Sequence, residues 1–130
     1  MVYLKIPVSK ESSISRILVV DDDESFRDVM HSTLSQQGLD VTLAHSGYEA
    51  IDMLKSAEYD LVIADYRMQN GDGVSLSHYC DTNNIQCIVF TWSLPEVVKP
   101  YLPKGTPVVE KLDCFEPDGL FGTLKRYLAA

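Results

Sequence analysis

Ile17-Leu18-Val19-Val20-Asp21-Asp22-Asp23 sets an unbroken apolar run directly against consecutive carboxylates. A short continuous apolar run bounded by polar residues is the pattern of a parallel strand buried on both faces. The pattern recurs at Leu61-Val62-Ile63-Ala64, which meets Asp65, and from Ile85 to Phe90, which meets Thr91. Val41-Thr42-Leu43-Ala44 and the stretch from Pro107 to Glu110 read as two further strands, the last running into Lys111.

Helical signals separate these runs. Phe26, Val29, Met30 and Leu34 recur at helical spacing before Gly38, a fitting residue just past a helix end. Ser46-Gly47-Tyr48-Glu49 has the S-x-x-E form in which both side chains satisfy free backbone N–H groups, so a second helix starts near Gly47 and buries Ala50, Ile51 and Leu54. Asn70-Gly71-Asp72-Gly73 is a turn by composition. A short third helix follows through Val74, Leu76, Tyr79 and Cys80 to the polar Asp81-Thr82-Asn83-Asn84. Between Leu94 and Lys104, Pro95, Pro100 and Pro103 leave room for little more than one helical turn. Leu120, Phe121, Leu124, Tyr127 and Leu128 mark a final amphipathic helix. Strands alternating with helices predict an α/β domain, a doubly wound five-stranded parallel sheet with helices on both faces and the third and fourth helices short.

A chain of 130 residues is in the size range of one domain and needs no disulfide or structural metal to bury a core. The formal net charge of −8 argues against binding a phosphate backbone, so no nucleic-acid partner is expected. No apolar run approaches the roughly 18 residues of a membrane helix, and no secretory signal opens the chain. A cytoplasmic domain without direct membrane contact is the expectation. Cys80, Cys87 and Cys114 lack C-x-x-C spacing and read as reduced, mostly buried thiols.

Ligands of a doubly wound sheet bind outside the carboxyl ends of its strands. At that end the predicted strands deliver Asp21, Asp22 and Asp23, then Asp65, Thr91 and Lys111. Converging carboxylates repel one another, and a hard divalent cation answers that repulsion; Mg²⁺ combines one or two carboxylates with phosphate oxygens and water. Asp65 is then suited to act as a nucleophile toward phosphorus, with Thr91 and Lys111 donating to the phosphoryl oxygens. Asp23 is read as the N-terminal acid of the first helix rather than a ligand. His31, His45 and His78 have no metal-ligand spacing and are not read as phosphodonors.

Ile17 to Asp23 with its helix, Tyr59 to Asp65, Asp72-Gly73, Phe90-Thr91 and Glu110-Lys111 together resemble the response-regulator receiver family over about residues 16–130. The resemblance implies a flavodoxin-like, CheY-like fold. It makes Asp65 the phosphoacceptor, with Mg²⁺ held by Asp21, Asp22, Asp65 and the backbone carbonyl of Arg67, and with Thr91 and Lys111 on the phosphoryl group. The partner it implies is a histidine kinase dimerisation domain or a histidine phosphotransfer protein. Such a domain catalyses its own phosphorylation and dephosphorylation. Asp72 belongs with Gly73 to the turn into the third helix.

Several positions depart from the family pattern. Trp92 stands after Thr91 where a small residue is usual, and an indole there is expected either to gate Asp65, aided by the guanidinium of Arg67, or to pack into the core. Val108 replaces the aromatic residue expected before the lysine, Leu112 the proline after it, and a proline near Gln69 is missing. The span from Asp65 to Lys111 is also short.

Residues 1–15 read as an end strand over Val2-Tyr3-Leu4-Lys5-Ile6 and a linker. That strand, with Pro7, resembles the last strand of a histidine-kinase ATP-binding domain. This makes residues 16–130 the receiver of a hybrid sensor histidine kinase, on the cytoplasmic side of the inner membrane. The alternatives are a free-standing CheY-like response regulator, a pseudo-receiver that signals by contact without phosphate, and a haloacid-dehalogenase-type phosphohydrolase with Asp21 as nucleophile. The last lacks the final Thr of a D-x-D-x-T motif.

Overall fold

The apolar runs form the buried strands that their lack of alternation requires. β1 (Arg16–Val20), β2 (Asp40–Ala44), β3 (Leu61–Asp65), β4 (Gln86–Thr91) and β5 (Val108–Glu110) make one sheet in the order β2-β1-β3-β4-β5. Every pairing is parallel. The computed structural model describes residues 16–70, 72–113, 116, 119, 120 and 122–124. The strand expected in residues 2–6 and its linker lie outside the described residues, as do Gly71, Cys114, Phe121, Tyr127 and Leu128.

Successive side chains of a strand point to opposite faces, and both faces are covered. Ile17, Val19, Leu61, Ile63, Ile88 and Phe90 pack with Met30 and Leu34 of α1 (Glu24–Ser35) and with Leu120 and Leu124, which are helical. On the other face Leu18, Val20, Val62 and Ala64 meet Ala50 of α2 (Gly47–Ser56) and Leu76 and Cys80 of α3 (Gly73–Thr82). A smaller cluster of Val89, Val98 and Leu102 lies under α4 (Pro95–Val98) and the 3₁₀ turn Lys99–Tyr101 that follows it. This is the doubly wound α/β architecture predicted from the alternation of elements, with the segment between β4 and β5 as short as its prolines require.

Two local expectations need correction. Val29 is 47% exposed, because Phe26, Met30 and Leu34, spaced by four, already make the buried stripe of α1. Val29 stands about 100° round the helix from Met30. At α2, Ser46 Oγ accepts from the Glu49 N–H at 3.1 Å, but Glu49 Oε1 accepts from His45 N–H at 3.0 Å, one residue outside the cap. Asp23 caps α1 by accepting from the N–H groups of Ser25 and Phe26 at 2.9 and 3.4 Å. Asp72 does the same for α3 from Ser75 at 2.9 Å.

Gly73 opens α3 hard against β3. Its N–H donates to the Tyr66 carbonyl at 3.0 Å. A Cβ added there would stand 2.2 Å from the backbone oxygen of Asp65 and 2.9 Å from Tyr66 Cα. Since the obstacle is backbone, it has no rotamer to move to. Gly73→Ala is therefore expected to lower stability by about 2 kcal/mol through overpacking, despite the roughly 1 kcal/mol that alanine normally gains over glycine in a helix. Urea denaturation checks this, and a raised midpoint would contradict the close approach.

Candidate functional site

Parallel pairing aligns the carboxyl ends of the strands. Val20 pairs with Ala64, so Asp21 emerges level with Asp65; Asp65 pairs with Phe90, and Thr91 with Glu110, the residue before Lys111. The sheet thus brings Asp21, Asp22, Asp65, Thr91 and Lys111 to one cavity of about 240 Å³, whose walls also include Tyr66, Arg67, Trp92 and Ser93.

Lys111 sits at the centre. Its Nζ donates to Asp21 Oδ2 at 2.8 Å and lies 3.2 Å from Asp65 Oδ1. All three side chains are buried, with exposures of 3% for Lys111, 1% for Asp21 and 8% for Asp65. Phe26 and Trp92 present ring faces to the same ammonium, at 4.5 and 5.5 Å from Nζ to the ring centroids. Asp21 is held from every side: its N–H donates to the Ala44 carbonyl at 3.1 Å and its Oδ1 accepts from Asp23 N–H at 2.9 Å. Its own carbonyl accepts from Arg27 Nη1 at 2.8 Å. Thr91, 2% exposed, accepts through Oγ1 from the Ser93 N–H at 2.9 Å, which fixes the hydroxyl beside the cavity.

Burial pushes the Asp65 carboxyl up from 3.8 to about 6, and the charge of Asp21 adds to the rise. The charge and hydrogen bond of Lys111 and the backbone N–H of Arg67 oppose it without cancelling it. For Lys111, burial alone would favour the neutral amine, but the Asp21 hydrogen bond and the two carboxylate charges outweigh it and the pKa rises. The ammonium is therefore a fixed positive charge, and Asp65 a carboxylate short of compensation.

Asp21, Asp22 and Asp65 each offer an oxygen within 4.8 Å of the others. An all-oxygen, carboxylate-rich donor set suits a hard divalent cation such as Mg²⁺. Both Asp21 oxygens already accept hydrogen bonds, so its remaining lone pairs are the constrained ones, whereas Asp22 is exposed. Asp23 turns away to cap α1 and contributes its backbone N–H instead.

The indole of Trp92 is 72% exposed, which removes the reading of Trp92 as a core residue. It stands at the mouth with the exposed Arg67. His45 pairs with Glu49 at 2.8 Å, and His78 Nε2 is 2.9 Å from the Tyr101 carbonyl; neither lines the cavity. Sequence reasoning missed three contributors. Arg27 and Phe26 lie in the first turn of α1 after its Asp23 cap, where the chain folds back over Asp21. Gly73 was read as a turn residue, and only packing reveals its contact with the Asp65 peptide.

The family described as response regulator receiver domain matches residues 17–102. A stretch of 61 residues is 44% identical to the response regulator MprA of Mycobacterium avium, covering 47% of this chain and 27% of that protein. The match thus spans about a quarter of the curated relative. Among solved structures, the response regulator TrrA of Thermotoga maritima, determined in complex with Mg²⁺-BeF, superposes with a TM-score of 0.74 at 27% identity, covering 88% of this chain and 100% of that one. A receiver protein of Sinorhizobium medicae gives 0.78 at 27% identity, covering 91% and 97%.

The raised Asp65 pKa has a stability consequence. Because the folded value lies above the unfolded one, the fold prefers protonated Asp65. The penalty for ionising it vanishes well below pH 3.8, is still small at pH 4, grows toward about 6, and is complete above that. At about 1.4 kcal/mol per pH unit the gap, already net of the Lys111 contact, corresponds to at most about 3 kcal/mol, and an Asn amide, which brings N–H donors of its own toward the Lys111 ammonium, recovers only part of it. Without divalent cations, Asp65→Asn is expected to be more stable than wild type by about 1–3 kcal/mol at pH 8 and to converge with it near pH 4. Denaturation at the two pH values measures this; a difference independent of pH would mean that Asp65 is not held in an unfavourable charge state.

Proposed function

The chain belongs to the response regulator receiver family, and from that premise we propose that it accepts a phosphoryl group from a phosphohistidine onto Asp65. The observation that carries the reading is a buried lysine bridging two buried carboxylates, with Asp65 facing a cavity large enough for a phosphoryl group. A carboxylate oxygen of Asp65 attacks phosphorus, the bond from phosphorus to the donor imidazole nitrogen breaks, and the ring leaves with the bonding pair. An acyl phosphate remains on Asp65. Lys111 then has a phosphoryl oxygen to receive its N–H, and the Thr91 hydroxyl donates to another.

Asp22, Asp65, Asp21 and the carbonyl of Arg67 would hold Mg²⁺. When bound, the ion shields the incoming phosphoryl charge from the carboxylates and orients the phosphate oxygens. The partner is a histidine kinase dimerisation domain or a histidine phosphotransfer protein, in the cytoplasm. No helix among the described residues is long and apolar enough to cross a membrane. The resemblance of residues 2–7 to the end of a kinase ATP-binding domain supports the receiver of a hybrid sensor kinase. The match to a protein named as a response regulator favours a free-standing regulator. The reading frame upstream of this segment decides between them by encoding, or not encoding, a kinase core.

Labelling tests the chemistry. Asp65→Asn abolishes hydroxylamine-sensitive, acyl-linked labelling from acetyl phosphate or a phosphohistidine donor, because an amide is not a competent nucleophile, whereas Asp23→Asn, altering a helix cap, stays within a few-fold of wild type. A label found on Asp21 would point instead to phosphohydrolase chemistry. No label under any donor would leave a contact-only module.

Trp92 and Arg67 form the gate of this site. An exposed indole lining the same cavity as a guanidinium suited to phosphate oxygens obstructs both donors and attacking water. Trp92→Ala is expected to accelerate both acetyl phosphate uptake and aspartyl-phosphate hydrolysis by several-fold while leaving Mg²⁺ affinity, read by calorimetry, within about two-fold. Rates unchanged in both directions would remove the gate.

A further inference from the structure

We propose that Phe26 is a positioning residue for Lys111, its ring face holding the ammonium over Asp65, with the Trp92 indole as a second, outer face. The inference rests on Asp65 being the phosphoacceptor.

Lys111 follows a short edge strand, Val108–Glu110, and begins a 3₁₀ turn, Lys111–Asp113, so its backbone has little sheet to anchor it. Its side chain is a flexible four-carbon stem with three N–H donors. Asp21 takes one at 2.8 Å and Asp65 is 3.2 Å away. The Asp65 contact is the one that phosphorylation alters, because the phosphoryl oxygens then compete for the same donor. Whatever holds the ammonium through that exchange has to attract a cation without competing for a phosphoryl oxygen's place. A third carboxylate would add to the repulsion on an incoming phosphate. An aromatic face attracts the cation and carries no net charge.

The Phe26 ring meets that description. Its centroid is 4.5 Å from Nζ, inside the roughly 6 Å reach of a cation–π contact. The ring is itself fixed, standing edge-to-face on buried Phe90 with centroids 5.7 Å apart and planes at 84°. Its residue sits in the first turn of α1, where the Asp23 cap accepts from its N–H at 3.4 Å. The core thus orients Phe26, and Phe26 orients the lysine. Trp92 is farther, at 5.5 Å, and mostly exposed, so water competes with its attraction and its larger effect is on access.

The test compares a variant that keeps bulk with one that keeps the ring. Phe26→Leu is expected to slow acetyl phosphate labelling of Asp65 by about 3–10-fold, with Phe26→Tyr within about two-fold of wild type and Mg²⁺ affinity unchanged in both. In the Lys111→Met background, Phe26→Leu should have no further effect, because the contact it removes is already gone. By NMR, the Lys111 Cε protons should lie upfield in wild type from ring currents and return toward ordinary values in Phe26→Leu. Phe26→Met serves the same comparison if Phe26→Leu does not fold. Wild-type labelling by Phe26→Leu with unmoved Lys111 protons overturns the proposal, as does equal slowing in both lysine backgrounds. Failure of the phosphoacceptor reading looks different: wild type itself would then carry no label on Asp65.

Discussion

The buried contact of Lys111 with Asp21 and Asp65 is the constraint around which the functional end of the domain is arranged. It joins the ends of β1 and β3 to the residue after β5, so elements distant in sequence share one charge balance. Taking three charges out of water costs several kcal/mol per ion unless partners are close and hydrogen-bonded. The donors around Asp21 meet part of that requirement. Asp65 is left short of compensation, and burial with the neighbouring Asp21 charge displaces its carboxyl toward neutral pH. A carboxylate destabilised as a free anion favours any reaction that bonds its oxygen to another centre and any cation that neutralises it.

Much of this was legible in the sequence because the sheet is buried on both faces. Ile17–Val20 and Leu61–Ala64 have no alternative to a central parallel strand, and once they are parallel their polar successors must meet at one end. Asp23 was readable as a helix-start residue from local chemistry, since an N-cap needs no tertiary contact, whereas Asp72, read as part of the turn into α3, proves to be the cap of that helix. Contacts decided by packing were less legible. Periodicity included Val29 in the buried stripe, but it did not show how much of α1 three residues at four-residue spacing would bury. The aromatic surroundings of Lys111 depend on how far its side chain reaches back from the end of β5 toward the first turn of α1, and no spacing in the chain encodes that distance.

Trp92 illustrates the same boundary from the other side. Its place after Thr91 predicted a residue beside the crevice, and the structure puts it there, but a strand-end aromatic is equally at home in a core. The decision came from the shortness of the following segment. α4 is little more than a turn, and its 3₁₀ extension carries Tyr101 outward, so nothing among the described residues folds back over the indole. Leu94 and Val97, close to it along the chain, are exposed as well.

The close seat of Gly73 makes the start of α3 part of the scaffold under the site. On the α3 side the Asp65 peptide abuts backbone with no room for a single carbon, and the Tyr66 carbonyl is tied to the start of the helix. On the β4 side Thr91 leads into a segment seated by the burial of Val98 and Leu102 against Val89 and by the contact between His78 and the Tyr101 carbonyl. The Asp65 peptide thus has no slack toward α3, and bulk placed at residue 73 would be felt as a shift of the backbone that carries the site carboxylate.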